Sequence, residues 1–253
     1  MALHPSLLAL SEVALHCDSR AAARGIVAES QQMLRNAVEH REDEEALAAW
    51  FSRLVCDLVR CPAVDSQVRL TGAVATCDAL PTSPIRWLGE DPELAQFLTE
   101  VGLYGDPVAL TPEYAADAGL VSAHAPGLEI ALNQRPPHMQ MVYGLPDRAA
   151  VVDIQGHLLS PIRAIARWAA PAPRQVADRL AIGRERELLT AAEADALSQA
   201  WATGLALELR NWHTHVTSAD LCWDDLTALD RTAYGAASRM VAQVCDSLGA
   251  RHG

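Results

Sequence analysis

The sequence predicts an α+β protein, mainly helical. At both ends of the chain, apolar residues recur every three or four positions. Between them lies a short stretch of strand-like alternation, followed by a Gly- and Pro-rich middle without sustained periodicity. At 253 residues and 27.2 kDa the chain is long enough for a full core. The reading divides it into two linked halves, 1–126 and 127–253.

Residues 4 to 63 read as helices. Leu7, Leu8, Leu10, Val13 and Leu15, then Ile26, Val27, Met33, Leu34 and Val38, supply the helical spacing. A third helix fits Asp43 to Arg60. Glu42, Asp43, Glu44 and Glu45 favour its positive N-terminus, while Trp50, Leu54, Val55, Leu58 and Val59 form its apolar face. Cys61-Pro62 then stops it.

Ser66 to Cys77 alternates small or polar with apolar residues, as a strand entering a loop does, and Pro84 to Leu88 is its candidate neighbour. A helix over about Pro92 to Val101 precedes the weakly patterned stretch Gly102 to Pro137, where the domain junction is expected. Helical spacing returns at Ser160, with Pro161 at a tolerated first position. Thr190 to Glu193 reads as a capping box ahead of the apolar face Ala194, Leu197, Trp201, Leu205 and Leu209. A last helix fits Leu229 to Leu248. No internal repeat is evident.

Half of the residues are hydrophobic, the composition of a folded protein. The net charge of -12 opposes attraction to phosphate backbones and anionic lipid, which argues against nucleic acid as a main partner. All 20 basic residues are arginine. Without lysine there is no Schiff-base lysine, no phosphate-loop GK[ST] motif and no PLP site. No stretch reaches the roughly 18 apolar residues of a membrane span, and the first residues lack the pattern of a signal peptide. The six scattered cysteines form no CxxC pair and read as reduced thiols of a cytoplasmic protein.

Two segments carry a family resemblance. The first is VVDIQGHLLSPIRAIARWAA with LLTAAEADALSQAWATGLALELRNW, in which Asp153, Pro161, Ile162, Leu188, Leu189, Thr190, Glu193 and Ala194 fit a pattern and Gln155 replaces its lysine. This half, from about Pro136 to the end, resembles the helical substrate-binding domain that accompanies nucleotidyltransferases related to the PII uridylyltransferase N-terminal region. The second is RLTGAVATCDALPTSPIRWL, which resembles that family's catalytic segment: Gly-Ser, an Arg and a Glu, then Ser-Asp-x-Asp. The resemblance implies a small nucleotidyltransferase-like mixed sheet behind the N-terminal helices, then a helical domain.

The resemblance keeps Gly72 and Ser83 but not the chemistry. Ala73 stands for the serine, Thr76 for the arginine and Asp78 for the glutamate, while Pro84 and Arg86 take the two metal-binding aspartate positions. Residues i and i+2 of a strand share a face, which is why Asp-x-Asp can hold a metal. Neither Pro84 nor Arg86 can ligate Mg²⁺, and a guanidinium repels it. The family's third acid, on a following strand in an Asp-Phe-Arg-like context, has no matching triplet between Gly102 and Arg135. The expectation is therefore a pseudoenzyme with no catalytic residues and no cofactor, binding a partner protein or a small anionic effector. Gly72, Ser83 and Arg86 are its candidate ligand contacts. Arg86 also reads as a salt-bridged or surface arginine, as most single arginines are.

Two alternatives stay open. An active nucleotidyltransferase would use Mg²⁺ and rearranged carboxylates, Asp78 with Asp65 or Asp153. A helical assembly module would form an oligomer or a stable partner complex. Other features have bland and functional readings side by side. Asp65, Asp78, Glu90, Asp91 and Glu93 read as loop and helix-start acids or as replacement carboxylates. Asp153 also reads as a turn or cap acceptor. His213 and His215 end a helix as dipole partners or a metal pair. His138 and His157 read as isolated. Trp168, Trp201, Trp212 and Trp223 are core residues or the wall of a pocket.

Overall fold

The computed structural model describes residues 3–120, 127–138, 141–143, 145–171, 175–214 and 221–252. The chain divides into two compact units, Met1–Ser122 and Ala123–Gly253. Together they give the mainly helical α+β architecture expected.

The first unit opens with α1 (Pro5–Leu15), α2 (Arg20–Glu39) and α3 (Glu44–Arg60). Helix α1 packs on α3 and α2 and buries Leu7, Leu10, Ser11 and Ala14, at helical spacing. Leu8, Val13 and Leu15, also part of the apolar spacing, stay exposed. Helix α3 starts as its acids suggest, with the Asp43 carboxylate accepting the Ala46 N–H at 2.8 Å. The α3 face with Leu47, Phe51, Leu54, Val55 and Leu58 is fully buried. The Trp50 indole donates to the Leu7 carbonyl at 2.7 Å, joining α3 to α1.

Three short strands follow: β1 (Arg69–Thr71), β2 (Ile85–Leu88) and β3 (Gly105–Val108). Strand β2 is central, antiparallel to β1 and parallel to β3. The parallel pair needs a crossover, which α5 (Pro92–Val101) provides. Its cap is Asp91, accepting from Leu94, and its C-cap is Gly102 in the left-handed region. Only three residues of the strand expected over Ser66 to Cys77 are extended. Gly72 turns the chain at φ +61°, and the small residues Gly72–Ala75 form α4. Strand β3 and helix α6 (Pro112–Asp117) emerge from the stretch expected to carry the weakest structure. Pro107 is tolerated in β3 because that strand is an edge.

The second unit contains α7 (Leu128–Leu132), the two-residue strands β4 (Met141–Val142) and β5 (Leu145–Pro146), and a π-helical turn over Gln155–Leu159. That turn leads into α8 (Ser160–Ala169), followed by α9 (Val176–Glu185), α10 (Ala191–His213), a 3-10 turn at Trp223–Asp225 and α11 (Ala228–His252). Helices α10 and α11 are the main packed pair. Ion pairs tie Glu193 at the start of α10 to Arg251 at the end of α11, and Arg210 near the end of α10 to Asp230 near the start of α11. The two helices therefore run antiparallel. No helix among the described residues is long and apolar enough to cross a membrane.

Candidate functional site

The alternation in Ile-Arg-Trp-Leu decides which side chains of β2 face the core. Ile85 and Trp87 are fully buried, so Arg86 points to the opposite face. Register places Arg86 across from Thr71 on β1 and from Asp106 on β3. Gly72 follows Thr71 directly, and a Cβ there would lie 3.5 Å from Arg86 Cδ, so the turn and the arginine stem are in contact.

Arg86 Nε donates to Asp106 Oδ2 at 2.8 Å, and both side chains are about one-third exposed. Its guanidinium carbon lies 5.9 Å from the centre of the Tyr114 ring. Tyr114 is held against the sheet by the Thr71 hydroxyl, which donates to the Tyr114 carbonyl at 2.7 Å. The site is thus a cation set between a carboxylate, an aromatic ring and a glycine turn. A carboxylate already paired with a guanidinium is a poor ligand for a divalent cation, because the arginine both occupies it and repels the ion.

The other positions singled out in the sequence serve the turn. The Thr76 hydroxyl lies against Asp78 Oδ1 and within reach of the Gly72 and Ala73 carbonyls, at 3.1 and 3.3 Å. Both Thr76 and Asp78 are buried. The Asp78 N–H donates to the Ala73 carbonyl at 2.9 Å. Ser83 Oγ accepts the Leu80 N–H at 3.0 Å while its own N–H returns to Leu80 O, closing the turn that ends at Pro84. Ser83 is spent on backbone geometry, and Ala73 and Pro84 bring no polar side chain. Asp65 accepts from Gln67 at 3.1 Å, and Asp91 is a helix cap that also accepts from Ser66.

In the second unit Asp153 takes the structural role foreseen for it, one turn earlier than expected. Its Oδ1 accepts the Gly156 N–H at 2.7 Å and so caps the π-helical turn. His157 is not isolated: its Nδ1 lies 2.5 Å from the Tyr234 hydroxyl. Burial pushes His157 below the ordinary histidine value, against the pull of Asp153, and burial pushes the Tyr234 hydroxyl up to about 12. His138 also belongs to this neighbourhood, with Arg135 donating to its Nε2 at 3.3 Å. His213 ends α10, whereas His215 lies outside the described residues. Trp201 is core, with Arg163 over its ring, and Trp168 meets His252 edge-on.

Two things escaped sequence reasoning. Asp106 sits in Gly-Asp-Pro-Val, whose first three residues are of types depleted in strands, and only the register of β2 with β3 reveals it. His157 and Tyr234 are 77 positions apart, so no spacing rule joins them. Comparison of the chain with family models, curated proteins and solved structures found no match.

Proposed function

We propose that this chain is a nucleotidyltransferase-like protein that does not transfer nucleotides and instead binds a partner protein or a small anionic effector in the cytoplasm. The observation that carries the reading is the Arg86–Asp106 ion pair beside the Gly72 turn. Where the related enzymes would converge carboxylates on Mg²⁺, this chain sets a guanidinium that neutralises the adjoining acid. No cofactor is needed for the proposed role.

Arg86 remains partly exposed, and only its Nε is committed to Asp106, so the guanidinium can still meet a phosphate or carboxylate that approaches over the turn. The acidic net charge keeps nucleic acid out of this role. An active enzyme built from rearranged carboxylates is the weaker reading. Asp78 is buried against Thr76, Asp65 is bonded to Gln67, and Asp153 caps a helical turn.

Isothermal calorimetry of the purified protein with ATP and UTP, each with and without Mg²⁺, tests the proposal. The expected result is binding that Mg²⁺ leaves unchanged and Arg86→Ala weakens by about tenfold, the worth of one charge-assisted contact. Binding that requires Mg²⁺ contradicts it.

A further inference from the structure

The second unit contains a cavity of about 370 Å³, within the size range of small-molecule sites. It is lined among others by Asp153, His157, Trp223, Tyr234 and Ser238. Backbone pairing sets these groups on a fixed frame. Val152 N–H donates to Leu221 O, and Trp223 N–H donates to Ala150 O, both at 2.9 Å, around the bridge between Val151 and Cys222. Trp223 is thereby clamped beside the segment that carries Asp153. Its ring meets Tyr234 edge-on, with centroids 6.4 Å apart at 62°. His157 enters from the π-helical turn, a rare distortion that recurs at functional sites because it re-aims side chains.

The charges around the cavity select its ligand. Among the described lining residues Asp153 is the acidic one, and it is exposed. Its Oδ1 caps Gly156, which anchors the group without neutralising it. Burial lowers the His157 pKa below the ordinary histidine value, and Arg135 donates to His138 Nε2. Arg135 itself is locked to Asp246 by two bonds of 2.6 and 2.8 Å. A carboxylate that lines one cavity with a tryptophan and a tyrosine is complementary to a positive, weakly hydrated group. The -12 net charge raises the local concentration of cations and lowers that of anions.

We propose that this cavity binds a small organic ammonium ion, with the Trp223 and Tyr234 rings against its alkyl groups and the Asp153 carboxylate against its charge. The inference stands on the second unit alone and is independent of the reading of Arg86.

The test is calorimetric titration of the full chain with choline, with ethanolamine, and with 3,3-dimethyl-1-butanol, the uncharged isostere of choline. Wild type is expected to bind at least one of the two ammonium ions at about millimolar affinity, roughly tenfold tighter than the neutral alcohol. Asp153→Asn retains the Oδ1 acceptor for Gly156 and so preserves the turn; it should lose about tenfold in ammonium binding. Trp223→Leu, with folding checked by circular dichroism, should lose a similar factor. The proposal is overturned if neither ammonium ion binds better than the neutral alcohol, or if both variants bind as wild type does.

Discussion

Arg86 and Asp106 form a partly exposed pair, and such pairs contribute less than about 1 kcal/mol to stability. Their weight lies in chemistry, since each cancels the charge that would otherwise define the site. His157 offers a test at the same scale through proton linkage. Its pKa is lowered from 6.5 by burial, so the unfolded chain takes up a proton at higher pH than the folded one. Its contribution is fully present above 6.5 and declines as pH falls below that value toward the folded pKa. Urea midpoints measured at about pH 7.5 and about pH 5.5 should fall further in wild type than in His157→Gln. Equal falls would show that His157 carries no such linkage. Little of this was legible beforehand. Arg86 could be placed on one face of β2 from the Ile-Arg-Trp-Leu alternation, but its partner and the His157–Tyr234 contact depend on distant residues.

Elements whose signals are local were read well. The Thr190–Glu193 capping box forms reciprocally, with Glu193 Oε2 accepting the Thr190 N–H at 2.8 Å and Thr190 Oγ1 accepting the Glu193 N–H at 3.2 Å. Burial would raise the Glu193 carboxyl, but Arg251 and the Thr190 backbone outweigh it and hold the group at about 2. The short strands and the π-helical turn carry no such local signature. Strand β3 is built from Gly, Asp, Pro and Val, and the π-helical turn begins where Asp153 offers its cap. Gly183 shows packing overriding propensity. Gly to Ala within a helix usually stabilises by up to about 1 kcal/mol, but a Cβ at 183 would lie 2.8 Å from the Ala169 Cβ and 3.0 Å from Leu189 Cδ1. Helix α9 approaches α8 through that missing side chain. Gly183→Ala should therefore destabilise by about 1–3 kcal/mol in urea unfolding, the cost of overpacking. A stabilised variant would mean that α8 and α9 are not packed this closely.

The whole molecule joins an acidic, lysine-free surface to two helical units, one with a three-stranded sheet and one with an antiparallel helix pair. The mainly helical character followed from periodicity, because helical faces leave a repeating mark along the chain. The relation of the Gly72 turn to Asp106 left none, since it is created by the α5 crossover. The sheet of the first unit carries the Arg86–Asp106 ion pair, and the proposal is that it does not transfer nucleotides. It is tested most directly by assaying pyrophosphate release from ATP and UTP by the purified protein, with and without Mg²⁺. Release indistinguishable from the protein-free blank is the predicted result. Mg²⁺-dependent release from wild type that is abolished by Asp106→Asn would contradict the account and make Asp106 a catalytic carboxylate.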